Sequence, residues 1–172
     1  KVLTLSKLEN QKLEMNKTEV PLAPMLDRLV EKFKTKSQKQ VDFLINLQVE
    51  SVYADAEYLE EIFCNLIDNS IKYSNEQVEI KISAELNKNY TVIKVQDNGL
   101  GIAEKDIHLI FQKFERASAK SRNRKHGASG FGLGLSFVDQ AVKAHVGKIF
   151  VTSIEGEFTE FAIYLPEATA DV

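Results

Sequence analysis

Apolar residues in this chain recur at two different spacings, and the switches between them mark the elements. Residues 1–15 place Val2, Leu5, Leu8 and Leu13 at roughly helical spacing among polar neighbours, which predicts the end of an amphipathic helix. Pro21 and Pro24 then interrupt the chain. From Leu22 to about Lys36, Met25, Leu26, Leu29, Val30 and Phe33 return at helix spacing. Val41 to Val49 reads as a strand. Asp55 is a candidate N-cap, and the helix behind it is expected to reach about Tyr73. Val78–Leu86 alternates, with Val78, Ile80, Ile82 and Ala84 in phase, and Tyr90–Val95 is rich in β-formers. Asn87-Lys88-Asn89 between them suits a hairpin loop. Residues 99–130 show no period and contain Gly99, Gly101, Gly127 and Gly130. A helix from Gly132 or Leu133 to His145 is predicted next. Lys148–Ile154 and Phe158–Leu165 then close the chain as a second hairpin around Glu155-Gly156-Glu157.

Strands that pair mostly by hairpins, with helices between them, predict an α+β fold: a two-layer α/β sandwich with helices on one face of the sheet. A strict βαβ alternation is absent. The chain has 172 residues, enough for one domain of ordinary size. Its 44% hydrophobic and 27% charged residues are those of a globular protein rather than of a disordered chain. A net charge of −3 gives no general attraction to nucleic acid or to an anionic membrane. No apolar run approaches the ~18 residues of a membrane span. A start at Lys1 rather than Met reads as a piece of a longer protein. The single cysteine, Cys64, sits among Ile62, Phe63 and Leu66 and is expected to fill space at or near the core.

The helix over Glu61–Tyr73 has two faces. At about 100° per residue, Glu61, Asn65, Asp68, Asn69 and Lys72 share one arc. Leu59, Ile62, Phe63, Leu66 and Ile67 take the other. Asn is a mediocre helix former, and a solvated face is built more cheaply from Glu, Lys or Gln. Two Asn four residues apart therefore suggest work: a neutral oxygen for Mg²⁺ and an amide donor for a phosphate, with Lys72 as a point charge. A solvated face with two incidental Asn is the competing account.

Two glycine segments carry further candidates. Asp97-Asn98-Gly99-Leu100-Gly101-Ile102 follows a strand directly, so Asp97 sits at the mouth of the sheet. Its carboxylate could accept a hydrogen bond from the amine of adenine, and Gly99 and Gly101 allow positive φ or close approach of a ligand. An ordinary turn is the alternative. Gly130-Phe131-Gly132-Leu133-Gly134-Leu135 precedes an apolar helix, whose N-terminus could hold a phosphate. It lacks the Gly-Lys-Ser/Thr of the P-loop. Between these segments, from Lys113 to Lys125, Lys113, Arg116, Lys120, Arg122, Arg124 and Lys125 stand against Glu115 alone. A lid over a triphosphate would explain them, and so would a basic loop for an acidic partner.

Taken in order, these segments resemble the nucleotide-binding domain of sensor histidine kinases, within the gyrase/chaperone/histidine-kinase/mismatch-repair ATPase superfamily. Asn65-Leu-Ile-Asp-Asn69-Ser-Ile-Lys72-Tyr73 is similar to its N box, and Asp97-Asn-Gly99-Leu-Gly101-Ile102 to its first G box. Phe111-Gln-Lys-Phe114-Glu-Arg116 is similar to its F box and Gly130 to Leu135 to its second G box. The resemblance implies a Bergerat-type ATP-binding fold, with a mixed, mostly antiparallel sheet and a mobile lid at about 103–130. It implies that Asp97 binds the adenine amine within a pocket of Gly99, Gly101 and Ile102, and that Tyr73 lies against the ring. It implies that Asn65 and Asn69 hold Mg²⁺ and phosphate oxygens, that Lys72 and Arg116 neutralise phosphates, and that Gly130, Gly132, Leu133, Gly134 and Leu135 form the phosphate-side loop. Phe111 and Phe114 would anchor the lid. Residues 1–15, with Leu5-Ser-Lys-Leu-Glu9, resemble the end of the family's dimerisation helix, leaving 16–172 as the catalytic domain. Two places depart from the family pattern: His145-Val146-Gly147 stands for His-Gly-Gly, and Gly156-Glu157-Phe158-Thr159 for Gly-x-Gly-Thr.

Hydrolysing members of that superfamily place Glu where Asn65 stands. A Glu can take a proton from water, and Asn cannot. Glu61, one turn earlier, reads as a structural residue. The resemblance thus implies transfer of the γ-phosphate of ATP–Mg²⁺ to a histidine outside this chain. His108, His126 and His145 all lack the acceptor's context. The implied partners are the phosphoacceptor histidine of a dimerisation domain, a response regulator receiver domain and a second copy of the parent protein, a membrane-bound bacterial sensor with this domain in the cytoplasm. A nucleotide-binding regulatory module without kinase activity and an anti-sigma-type serine kinase are the alternatives.

Overall fold

The computed structural model describes residues 15–112 and 133–168. The elements run β1 (Lys17–Pro21), α1 (Leu22–Lys36), β2 (Gln40–Leu47), β3 (Ser51–Asp55), α2 (Ala56–Lys72), β4 (Gln77–Asn87) and β5 (Tyr90–Asp97). A 3-10 helix (Glu104–Leu109), α3 (Gly134–Ala144), β6 (Lys148–Ile154) and β7 (Phe158–Pro166) follow. The strands form a two-stranded antiparallel ribbon, β1-β3, and a five-stranded sheet in the order β2-β4-β5-β7-β6. In the larger sheet only the β2–β4 pair is parallel, so the sheet is mixed and mostly antiparallel, as expected.

Period-two alternation decides what each strand contributes. Val78, Ile80, Ile82 and Ala84 of β4 are buried together with Ile93 and Val95 of β5 and Phe161, Ile163 and Leu165 of β7. The register stacks them in rows, Ile82 opposite Val95 and Val95 opposite Phe161. This is the face the helices cover. Helix α1 buries Leu22, Met25, Leu26, Leu29 and Phe33; α2 buries Leu59, Ile62, Phe63, Leu66 and Ile67; α3 buries Phe137, Val138, Ala141 and Val142. Each fully buried Leu, Ile or Phe contributes roughly 1.5–3 kcal/mol relative to exposure. Cys64 is partly buried against this core.

Asp55 caps α2 as its sequence position predicts. One carboxylate oxygen accepts from the amides of Glu57 and Tyr58, and the other from Asn16 N–H at 2.9 Å. Three features of the fold differ from the sequence reading. Residues 17–21 and 51–55, left without structure, pair as the β1-β3 ribbon. Pro24 does not break α1, because it occupies the first turn, where its missing N–H has no helical partner to lose. The start of the aperiodic stretch forms the 3-10 helix, with Ile110 buried behind it.

Helices α2 and α3 are joined at two levels. The rings of Tyr58 and Phe137 stack with centroids 6.3 Å apart. His145, the C-cap of α3, is 1% exposed. Its Nε2 accepts from the Asp55 N–H at 3.0 Å, and its Nδ1 lies 2.7 Å from the Ala141 carbonyl. An acceptor at Nε2 and a donor at Nδ1 define one neutral tautomer. Burial holds the imidazole below its ordinary pKa, only partly opposed by the bond to Ala141.

The departure at Val146 has a conformational cost. Its φ is 60°, and the side chain is 72% exposed. A β-branched residue in the left-handed region is strained, while glycine there is not. Val146→Gly is therefore expected to stabilise the chain by about 0.5–1 kcal/mol, less than the full left-handed penalty because glycine also loosens the unfolded chain. Urea unfolding monitored by circular dichroism checks this, and a lower midpoint would rule it out. His145 makes a pH prediction. Its folded pKa is lowered, so the unfolded chain takes up the proton first. Stability is then full above the ordinary imidazole pKa of about 6.5 and falls below it, by at most about 1.4 kcal/mol per pH unit. His145→Gln should flatten the dependence of the urea midpoint between pH 7.5 and 5.5, whatever its overall effect.

Candidate functional site

The same alternation that buries Ile93 and Val95 brings the last residue of β5 under the helices. Asp97 is 8% exposed and lies in register with Ile80 on β4 and Thr159 on β7. A carboxylate in such a place needs donors. The Gly99 N–H donates to Oδ1 at 2.9 Å, and the Ser70 hydroxyl donates to Oδ2 at 2.9 Å. Burial still pushes the Asp97 carboxyl above the usual carboxylate range, and the two hydrogen bonds oppose that push.

The loop after β5 is fixed by close contacts that only glycines permit. A Cβ on Gly99 would lie 2.6 Å from Asp97 Oδ1 and 2.7 Å from the Tyr73 carbonyl. Gly101 has φ +64°, and a Cβ there would lie 2.0 Å from the Ile154 carbonyl. Gly101 takes the positive φ that the sequence reading allowed, and within the described residues the near neighbours of both glycines are the chain itself. Leu100 N–H donates to the Tyr73 carbonyl at 2.9 Å, Gly156 N–H to the Leu100 carbonyl at 2.7 Å, and Ile102 N–H to Ser153 Oγ at 2.8 Å. The β6-β7 hairpin forms despite its departure from the family pattern, with Gly156 at positive φ and Thr159 Oγ1 beside Ser153 Oγ.

Tyr73 caps the C-terminus of α2 and is 40% exposed, with the Lys72 ammonium 5.3 Å from its ring centroid. The carbonyls of Ile71 and Ser74, in the same turn, accept from Lys39 Nζ at 2.6 and 2.7 Å. A lysine on the last carbonyls of a helix complements its dipole. The sequence reading missed this residue, and a lone lysine between α1 and β2 carries no signal for it.

Farther up α2, Asn65 is 7% exposed rather than solvated, while Asn69 and Lys72 are half-buried and Asp68 is exposed. Its Nδ2 donates to the Glu61 carbonyl at 2.8 Å. Its Oδ1 faces the start of α3, where a Cβ on Gly134 would come within 2.9 Å of it. Gly134 opens α3 and Leu133 is its N-cap without a side-chain cap, so among the described residues no N-cap side chain claims the amides of that first turn. Leu133 and Leu135 are half-buried. Glu61 forms no ion pair among the described residues.

The structure thus brings Asp97, Gly99, Gly101, Ile102 and Tyr73 to one end of α2, and Asn65 against Gly134 one to two turns away. Arg116, Gly130, Gly132, Phe114 and His126 lie outside the described residues. Phe111, just before that stretch, packs edge-on against Phe161 with centroids 6.3 Å apart. His108 is exposed at the end of the 3-10 helix. No helix among the described residues is long and apolar enough to cross a membrane.

Ser70 and Ser74 complete the site's support and were not assigned from sequence, while His145 packs at a helix end, as its position suggested. Ser70 did carry a signal. It falls at the centre of the apolar arc of α2, three residues after Ile67 and four after Leu66, where a hydroxyl needs a buried partner.

Known proteins of matching sequence and fold share this arrangement of elements. Residues 54–169 match the family described as histidine kinase-, DNA gyrase B-, and HSP90-like ATPase. The sensor histidine kinase WalK of Bacillus subtilis (strain 168) is 32% identical over 169 residues, which is 96% of this chain and 27% of that protein. The sensor protein kinase WalK of Staphylococcus aureus (strain Newman) is 31% identical over the same share of each. The chain therefore spans about a quarter of the length of these relatives. Among solved structures, the Acinetobacter baumannii histidine kinase AdeS superposes with a TM-score of 0.79 at 27% identity, covering 98% of this chain and 76% of that one. A nucleotide-free catalytic domain of histidine kinase ThkA gives 0.73 at 27% identity, covering 89% and 97%. The chain belongs to the family of histidine kinase-, DNA gyrase B- and HSP90-like ATPases, with the fold of a histidine kinase's ATP-binding catalytic domain.

Proposed function

We propose that this chain is the catalytic domain of a two-component sensor histidine kinase, which binds ATP–Mg²⁺ and presents its γ-phosphate to a histidine on a dimerisation domain of the parent protein. The observation that carries this reading is the pairing of two unlike polar groups along α2: a buried acceptor-only carboxylate, Asp97, at its C-terminal end, and a neutral amide, Asn65, facing the N-terminus of α3. The first suits the amine of adenine. The second suits phosphates, which gain from the free amides and positive end of a helix.

In this reading Asp97 accepts from the adenine amine, Tyr73 lies against the ring, and Gly99, Gly101 and Ile102 form the wall behind the base. Asn69 and Lys72 reach the phosphates from α2. Gly134, with Leu133 and Leu135, brings the amides of α3 to them, and Gly130 and Gly132 continue that loop. Arg116 and the other cations of 113–125 close over the triphosphate as part of a lid over about 103–130. Asn65 fits a hard cation, because its nitrogen is committed to the Glu61 carbonyl and its oxygen is presented where Gly134 leaves room. Together with Asn69 it would hold Mg²⁺, whose chemistry is to neutralise phosphate charge. Transfer then depends mainly on positioning and charge neutralisation.

Asn65 cannot act as a base toward water, so the domain is expected to turn ATP over slowly by itself. Residues 1–15 would continue into the helix that carries the acceptor, with 16–172 as the catalytic domain. The parent would act as a homodimer at the cytoplasmic side of a membrane and pass phosphate to a receiver domain.

Incubating the chain with ATP–Mg²⁺ and a histidine-bearing upstream helical segment should yield acid-labile, base-stable phosphate on that segment. ATP binding without such phosphate in any extended chain would leave a regulatory nucleotide-binding module, and acid-stable phosphoserine on a partner would favour the serine-kinase alternative. Asp97→Asn isolates the base contact. The Asn oxygen can keep the Gly99 N–H and its nitrogen can donate to Ser70 Oγ, so the fold should persist and even gain stability at neutral pH, since a raised carboxyl pKa means that burial disfavours the charge. ATP affinity should fall at least about 100-fold, the scale of a lost charged hydrogen bond plus an opposed donor. Unchanged affinity by calorimetry would sink the adenine assignment.

A further inference from the structure

Ser70 lies within the segment that suggested the family, yet no role attaches to it there. Its geometry is unusual for a helix serine. It is 3% exposed, sits among the apolar residues of α2, and gives its hydroxyl proton to Asp97 Oδ2 at 2.9 Å instead of returning it to its own helix. Its carbonyl in turn accepts from the Ser74 hydroxyl, which also lies near Gly99. Asp97 is therefore met by one donor on each oxygen, the Gly99 N–H on Oδ1 and Ser70 on Oδ2.

The protonation state of that carboxyl selects the base. An ionised carboxylate only accepts, which fits the amine at position 6 of adenine. A protonated carboxyl also donates, which fits the oxygen at position 6 of guanine or hypoxanthine. The Gly99 N–H is backbone, and only proline would remove it, with a side chain where Asp97 and the Tyr73 carbonyl leave no space for one. Ser70 is the side chain that can tip the balance.

We propose that Ser70 is a specificity-determining positioning residue, whose hydroxyl holds Asp97 as an acceptor and thereby sets the preference for a 6-aminopurine nucleotide over a 6-oxopurine one. The inference rests on the reading of Asp97 as the adenine contact. Burial raises the Asp97 carboxyl, and Gly99 and Ser70 oppose it; no charged side chain among the described residues contributes. The elements packed on Asp97 agree with this. Strand β4 presents Ile80 and β7 presents Thr159, and Glu79 pairs with Lys81 on the other face of the sheet. On α2 the nearest charges to Ser70 in sequence are Asp68, which is exposed, and Lys72, which lies over the Tyr73 ring.

The test uses the whole chain and Ser70→Ala, a change that costs a helix little because alanine is the best helix former. Affinities for ATP and inosine triphosphate are measured side by side from pH 8 to 5, so that titration of the phosphates cancels in their ratio. The wild type is expected to keep its ATP preference to a lower pH than the variant. At pH 6 the ATP-to-inosine-triphosphate ratio of Ser70→Ala should drop about tenfold, the scale of one hydrogen bond to a charged group. In the nucleotide-free protein, the carboxyl carbon resonance of Asp97 should titrate at higher pH in the variant. An equal loss for both nucleotides at every pH, with the carboxyl titration unmoved, assigns Ser70 a packing role only and overturns the proposal. A wild-type chain that binds neither nucleotide overturns the adenine reading instead, and the carboxyl titration then still decides whether Ser70 holds Asp97 ionised.

Discussion

A buried carboxylate at the end of a central strand is the constraint from which the rest of this site follows. Asp97 cannot be left under α2 without donors, since an unpaired charge there would cost more than several apolar contacts return. Meeting it fixes three pieces of chain at once. Helix α2 must place Ser70 over β5, the loop must turn back so that Gly99 can donate, and residue 99 can carry no Cβ because Asp97 and the Tyr73 carbonyl fill that space. Lys39, reaching from the α1–β2 connection to the carbonyls of Ile71 and Ser74, secures the same turn from outside. In the proposed reading this is the base end of the site, held by the chain's own hydrogen bonds, so less ordering entropy opposes binding there.

In the proposed reading, the phosphate end is built on a different principle. Asn65 and Gly134 are contributed by two helices, so their spacing depends on how α2 and α3 are held together. The Tyr58–Phe137 stack and the bond from Asp55 N–H to His145 do that. Asp55 serves twice: its carboxylate caps α2, and its amide docks α3. The stretch 113–132 then joins a piece anchored by Phe111 on Phe161 to a helix whose first residue lies against Asn65. In the proposed reading this lets the cations of 113–125 approach the phosphates without disturbing the base end.

Much of this could be read from the chain before any coordinates. The helix stripes, the alternating strands and the shared arc of Asn65, Asn69 and Lys72 follow from periods of about 3.6 and 2, and the Asp55 cap and both hairpin loops from residue type. The β1-β3 ribbon was not legible, because Lys17–Pro21 alternates poorly and has only Val20 buried, so its strand character comes from its partner. The burial of Asn65 was not legible because a helix wheel knows only its own helix; α3 covers that position through a contact some seventy positions away. The roles of Gly99 and Gly101 were similarly hidden, since the atoms that forbid a Cβ come from Tyr73 and Ile154. Ser70 and Asp97 are instructive in the opposite sense. Each is a polar residue in phase with an apolar stripe, one on a helix and one on a strand, and two such residues in one core have reason to find each other.

In the proposed reading, the choice between water and a histidine as phosphate acceptor turns on Asn65. A carboxylate at that position could draw a proton from water. The amide offers nothing in its place, and its nitrogen is held by the Glu61 carbonyl, so rotation about the amide would only exchange one neutral face for another at the cost of that bond. Glu61 itself lies a full turn back along the helix, with its carbonyl rather than its carboxylate engaged toward Asn65. A site so arranged lowers the barrier by positioning and charge neutralisation, which act on any in-line nucleophile, and withholds the base that water needs. An imidazole needs no such base, because its free nitrogen already carries the lone pair. Selectivity for histidine over water can thus arise from what the domain leaves out as much as from what it contains.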